Sequence, residues 1–235
     1  MRRARLFALL PLTSIFLFPA IGAQAQEELP EDCAVPPFID LTQYNVIVGT
    51  DESEVLKGTS GPDFICGLLG DDILFGFGGD DLLLADTTTF FGNFEAEGGD
   101  DVVFGGAGDD EILPGPGNDI VHGDGGDDFL ALALGDDVGH GGAGDDVVIG
   151  GLGRDRIFGH AGADVLAGGP GDDLINGGAG DDFLAGEIPP PPPGAEPPPI
   201  PGGPSLNDLC IGAEGTDTAV DCDKLVSVEE SDSVT

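Results

Sequence analysis

Aliphatic residues return every ninth position along most of this chain, each centred in a three-residue apolar piece that follows six residues rich in Gly and Asp. Between Gly141 and Ala185 the pattern is plain: GGAGDDVVI, GGLGRDRIF, GHAGADVLA, GGPGDDLIN and GGAGDDFLA. Counting nine places from the first Gly, the aliphatic column stands at the eighth. It comprises Leu56, Ile65, Leu74, Leu83, Val103, Ile112, Val121, Leu130, Val148, Ile157, Leu166, Ile175 and Leu184, with a gap at Gly139. Three apolar residues are too few for a helix and suit a short strand. The six before them, Gly-Gly-x-Gly-x-Asp, supply the positive φ and side-chain hydrogen bonding of a tight turn.

Held at this phase, the frame gives four units from Gly49, Gly58, Gly67 and Gly76, ten from Ala96 to Ala185, and two weaker ones from Gly203 and Gly212. Fourth place is Gly except at Glu52 and Leu206. Sixth place is Glu54 in the first unit and Asp in every other: Asp63, Asp72, Asp81, Asp101, Asp110, Asp119, Asp128, Asp137, Asp146, Asp155, Asp164, Asp173, Asp182, Asp208 and Asp217. A nine-residue unit cannot bury an apolar side alone, so units must stack. Two units make an 18-residue coil with strands on opposite sides, and units two apart become parallel neighbours about 4.8 Å apart. The predicted fold class is all-β: one elongated parallel β-roll, a β-solenoid with two repeats per coil.

This stacking puts the sixth-place carboxylates in two columns. Neighbouring charges at that spacing repel by about 0.9 kcal/mol in bulk water and about 3.5 kcal/mol at an effective dielectric near 20. Summed along both columns, the repulsion exceeds a typical domain's stability of about 5 to 15 kcal/mol. A cation is therefore required between the turns. Ca2+ suits them, since it accepts six to eight carboxylate and carbonyl oxygens in loose geometry, where Mg2+ demands a tighter octahedron and keeps its waters. An EF-hand is excluded, because no D-x-[DN]-x-[DN]-G loop ends in Glu at the required place.

The units resemble the G-G-x-G-x-D-x-U-x nonapeptide of repeats-in-toxin (RTX), or haemolysin-type, calcium-binding proteins. The resemblance implies a right-handed parallel β-roll with several Ca2+ ions bound between successive turns. It carries the ligand role onto the sixth-place Asp residues named above, together with carbonyls of the glycine turns. The second carboxylate of the GDD units, such as Asp71, Asp80, Asp109, Asp127, Asp145, Asp172 and Asp181, falls at a variable place of the motif and is expected to be solvated charge. The units with Glu54 and with Leu206 depart from the pattern.

Charge narrows the partners. Asp and Glu number 45 against seven Lys and Arg, for a formal net charge of −38, so nucleic acid and anionic membrane surfaces are not expected partners. Acidic chains with few aromatics are often disordered. Here the acid is phased with Gly and aliphatic residues, and disorder is expected of the metal-free state. Residues 1–25 read as a cleaved bacterial-type secretory signal: Arg2, Arg3 and Arg5 precede an apolar run from Leu6 to Gly22, and Ala23-Gln24-Ala25 is a small-x-small cleavage site. No transmembrane segment is expected in the mature chain, and the location expected is extracellular. Four Cys in an exported chain suggest disulfides, with Cys33–Cys66 and Cys210–Cys222 favoured because each partner lies near its own end of the array. A zinc site is the rival, although no Cys-x-x-Cys spacing supports it.

The chain then divides into the signal at 1–25, an N-terminal cap at 26–48, the roll at 49–220 with insertions at 85–95 and 186–202, and a tail at 221–235. The first insertion carries Phe90 and Phe91 and the second is Pro-rich, so each is a surface loop or a partner site. If phase survives the first insertion, Phe64, Leu82, Phe129, Val147, Val165 and Phe183 crowd one sheet, which suggests self-association or packing against a loop. His122 and His140 become neighbours on the other sheet, a conceivable transition-metal pair, and His160 has no comparable partner. No G-x-S-x-G, H-E-x-x-H or Walker motif occurs, and little chain lies outside the frame, so a non-enzymatic calcium-binding protein is expected. An adhesion or matrix protein using the roll as a spacer is the alternative, and a fragment of a secreted hydrolase is a weaker one.

Overall fold

Because each unit alternates a glycine turn with a short apolar piece, the backbone can only zigzag between two sides, and it does so throughout. The computed structural model describes residues 29–30, 33, 35, 39–86, 98–186, 209–212, 218–220, 222 and 224–227. The expected signal segment, Phe90 and Phe91, the Pro-rich stretch 187–202, Asp208 and Asp217 lie outside them.

The strands are β1 (Asn45–Val48), β2 (Val55–Lys57), β3 (Asp63–Leu68), β4 (Ile73–Gly78), β5 (Leu82–Asp86), β6 (Val102–Ala107), β7 (Glu111–Leu113), β8 (Ile120–Gly125) and β9 (Phe129–Leu134). They continue as β10 (Val138–Ala143), β11 (Val147–Leu152), β12 (Arg156–Ala161), β13 (Val165–Ala167), β14 (Leu174–Ala179), β15 (Phe183–Ala185), β16 (Leu209–Gly212), β17 (Thr218–Val220) and β18 (Lys224–Ser227). Odd strands form one nine-stranded sheet and even strands the other, each in chain order, and every pairing is parallel. The protein is a β-solenoid. Its rungs include β1 before the first nine-residue unit and β18 after the last.

One coil is 18 residues, as in the pairing of Val138 with Arg156. Across the first insertion it lengthens to 29, with Ile73 opposite Val102. The phase therefore survives. Strand β5 takes in Ala85 and Asp86, with Leu68 opposite Asp86, so the extra residues follow Asp86 rather than beginning at Ala85. Across the Pro-rich stretch Leu174 pairs with Leu209, and the same two sheets continue.

The core is a single file of eighth-place side chains from each sheet, fully buried from Ile65 and Leu74 to Ile175 and Leu184. Where the file lacks a side chain at Gly139, Leu132 enters from the first place of the same unit and is itself fully buried. A second cluster lies outside the odd sheet. There a 3-10 turn, Leu41–Gln43, capped by Asp40 accepting from the Thr42 N–H, packs with Cys33 over Phe64, Leu82 and Leu84. The Cys33–Cys66 disulfide ties this segment down, and Cys210–Cys222 joins the other end. The apolar sheet is thus covered at its N-terminal end by the protein's own chain, whereas Phe129 and Val165 further along stay exposed. Among the described residues no helix is long and apolar enough to cross a membrane.

Candidate metal centre

The sixth-place Asp side chains point inward at the corners of the coil, and from Asp63 to Asp182 all are buried. In each column one oxygen is bound in a ladder: the backbone N–H of one Asp donates to Oδ1 of its counterpart a coil later. Asp110 donates to Asp128 at 2.8 Å, Asp128 to Asp146 at 2.9 Å, and Asp137 to Asp155 at 3.0 Å. The other oxygen is different. Oδ2 of Asp72, Asp81, Asp101, Asp110, Asp119, Asp128, Asp137, Asp146, Asp155 and Asp164 is buried with no hydrogen-bond partner. A buried carboxylate oxygen with nothing to bind costs about 1 to 3 kcal/mol or more. Ten residues in one repeat phase do not carry that cost by accident of packing; such a row calls for an electrophile.

What Oδ2 faces is the first place of its own unit. A Cβ placed on Gly123 would collide with Asp128 Oδ2 and stand 2.6 Å from the Gly141 carbonyl oxygen of the next coil. Glycine there lets a carboxylate and a carbonyl approach one point. On the turns leading from even to odd strands this glycine never fails: Gly58, Gly76, Gly105, Gly123, Gly141, Gly159 and Gly177. On the opposite edge it is replaced in three successive coils by Ala85, Pro114 and Leu132, beside Asp101, Asp119 and Asp137. The two columns are therefore unequal.

Burial drives these carboxylates up from an ordinary pKa of 3.8: Asp101, Asp110 and Asp137 to about 8, Asp119 and Asp146 to about 7, and Asp72, Asp81, Asp128, Asp155 and Asp164 to about 6. Loss of solvent is the largest cause. The accepted backbone N–H opposes it, and neighbouring carboxylates push further upward. Among the described residues no three or more His, Cys, Asp or Glu side chains are grouped so as to hold one metal ion, so a cation here would take its remaining oxygens from the backbone. An all-oxygen set of carboxylate and carbonyl groups fits Ca2+.

A family model of the RTX calcium-binding nonapeptide repeat matches residues 48–83 and, in overlapping copies, 95–188. The chain belongs to this RTX family. No curated protein matches it.

Three features of this RTX roll escape the repeat frame. The first two turns satisfy themselves: Glu54 accepts from the Thr50 N–H and hydroxyl, and Asp63 Oδ2 from those of Thr59. At the N-terminal end Asn45 stands opposite Asp63 and donates to its Oδ1, closing the ladder without another charge. Asp86, at second place just before the insertion, is buried; Oδ2 accepts from the Gly99 N–H and Oδ1 has no partner. Burial raises its pKa to about 7. Second place carries positive φ at Leu68, Phe77, Asp124, Ala133 and His160 but not at Thr50, Thr59 or Asp86, and the Asp86 side chain turns in beside Asp101. The repeat pattern held no signal for it, since the insertion hides its phase.

The fifth-place carboxylates are exposed, as the sequence suggests, yet ordered. Asp109 Oδ1 accepts from the Asp127 N–H and Asp127 Oδ1 from the Asp145 N–H, a second ladder running in the opposite sense to the buried one. Arg154 enters this row and pairs with Asp136.

Proposed function

We propose that this RTX chain is an exported, non-enzymatic calcium-binding protein whose roll folds as Ca2+ enters between stacked turns. The observation that carries the reading is the row of buried, partnerless Oδ2 atoms, which at Asp72, Asp81, Asp110, Asp128, Asp155 and Asp164 are aimed at a first-place glycine that also meets a carbonyl from the next coil. Asp81, Asp110, Asp128, Asp146, Asp164 and Asp182 would hold ions on the edge with unbroken glycines, and Asp72, Asp155 and Asp173 on the other. Asp101, Asp119 and Asp137 would bind more weakly, behind Ala85, Pro114 and Leu132. Asp208 and Asp217 share the repeat phase and join the set on that ground. Bound calcium would supply the positive charge that cancels repulsion along each column.

The apparent signal at 1–25 and the two disulfides support export into an oxidising, calcium-rich space. The buried charged residues among those described are all turn carboxylates, which supports a structural rather than a catalytic role. Sedimentation velocity on the mature chain tests the proposal. The expected result is an expanded chain in chelator that becomes a compact rod at about 0.1 to 1 mM calcium; equal sedimentation in both conditions would contradict it.

A further inference from the structure

The even sheet presents a row of rings on its outer face. Phe75, Phe104, His122, His140 and Phe158 stack in sequence at centroid distances of 5.1, 5.0, 4.7 and 4.8 Å. His160 joins from second place, where its positive φ of 80° swings the side chain back over this face. Its Nε2 lies 2.9 Å from His140 Nδ1, while the ring centroids are 5.1 Å apart. The two nitrogens therefore lie nearly on the line joining the rings and face each other edge to edge.

That arrangement separates the possible pairs. A metal sits in the plane of an imidazole, along the nitrogen lone pair. His122 and His140 are parallel within 4°, so their lone pairs cannot converge on one ion. His160, which has no comparable partner in the repeat frame, lies against His140 in the structure. His140 and His160 do present nitrogens to a common point. Two nitrogens each about 2.0 to 2.1 Å from one ion stand about 3.0 to 3.4 Å apart, so the separation need open by only a few tenths of an ångström, while the His160 ring must swing aside until its lone pair, now aimed at His140, meets the ion at an angle. His160 is exposed and can make that adjustment, while His140 is held between the rings of His122 and Phe158.

We propose that His140 and His160 form a binding site for one divalent transition-metal ion of the Cu2+ or Zn2+ type, on the outer face of the even sheet and distinct from the buried carboxylate sites. Imidazole nitrogen favours such ions, whereas Ca2+ prefers oxygen, so calcium in the turns does not compete. Without metal the rings share an N–H···N hydrogen bond. On binding, the donor ring moves its hydrogen to its other nitrogen and both facing lone pairs turn to the ion. Burial and the neighbouring imidazoles hold His140 neutral, the form that ligates, with its pKa lowered to about 4. The Asp124 carboxylate acts on the same ring, and its charge favours an incoming cation. Water completes the coordination.

The test is a Cu2+ titration of the mature chain with calcium kept saturating, followed by electron paramagnetic resonance. One saturable equivalent with a two-nitrogen superhyperfine pattern is expected. His160→Asn, chosen because Asn tolerates positive φ, should leave one nitrogen and weaken binding at least about tenfold. His140→Phe, which keeps the ring stack, should do the same, and His122→Gln should change neither. Copper bound only through oxygen, a wild-type pattern in His160→Asn and His140→Phe, or an equal loss in His122→Gln would overturn the proposal.

Discussion

Leu132 and Gly139 exchange roles within one repeat. A Cβ on Gly139 would come within 2.9 Å of Leu132 Cδ1 and 3.1 Å of Val148 Cγ1, because the Leu132 side chain already occupies the place of an eighth-position aliphatic. Leu132→Gly should open a cavity and destabilise the calcium-bound roll by about 2 to 5 kcal/mol. Gly139→Leu should overpack and cost about 1 to 3 kcal/mol. The double variant restores the usual order of the repeat and should recover most of the loss. Urea unfolding in saturating calcium measures this coupling, and additive single effects would show that the two residues do not share one space.

Gly123→Ala places a methyl against Asp128 Oδ2 and the Gly141 carbonyl. Fewer calcium ions should bind, and the calcium midpoint of folding should rise. Pro114→Ala, on the edge where the cradle already begins with a side chain, should leave the stoichiometry unchanged. Equilibrium dialysis with both variants checks the inequality of the two columns.

Protons should substitute in part for calcium. The turn carboxylates have folded pKa values of about 6 to 8, raised from 3.8 chiefly by burial, so the folded chain binds more protons than the unfolded one between those limits. Stability of the calcium-free roll is then greatest below about pH 4 and is lost as pH rises through about 6 to 8. Circular dichroism of calcium-stripped protein should show β-structure growing on acidification. In calcium the sign reverses for affinity: acid raises the calcium needed for folding, since the ion must displace protons.

Cys33→Ser should free the segment that covers Phe64, Leu82 and Leu84. The chain-entropy contribution of this disulfide is about 4 kcal/mol. Increased binding of a hydrophobic dye and concentration-dependent association in calcium are the expected readouts, with Cys210→Ser as the comparison.

Much of the fold was legible because a coil of fixed length turns sequence phase into spatial rows. Holding Asp at sixth place assigned Phe64, Leu82 and Phe129 to one sheet and His122 and His140 to the other, across an insertion. The same phase set the buried file from Ile65 to Leu184. What it could not show depends on side-chain direction where the backbone leaves the repeat. Asp86 turns inward and lacks the positive φ that Leu68, Phe77, Asp124, Ala133 and His160 have at the same place. His160 reaches His140 because its φ is positive, and Leu132 fills a gap that appeared in sequence only as a missing aliphatic at Gly139. Thr50 and Thr59 satisfy Glu54 and Asp63 through hydroxyl geometry that a Gly and Asp frame does not encode.

The central claim is that buried turn carboxylates require calcium for the roll to form. Far-ultraviolet circular dichroism during a calcium titration at about pH 8, with magnesium as control, tests it most directly. A disordered spectrum in chelator that converts cooperatively to β-structure with calcium, and not with the same concentration of magnesium, is the predicted result. A chain already β-rich in chelator at that pH and unchanged by calcium would contradict it.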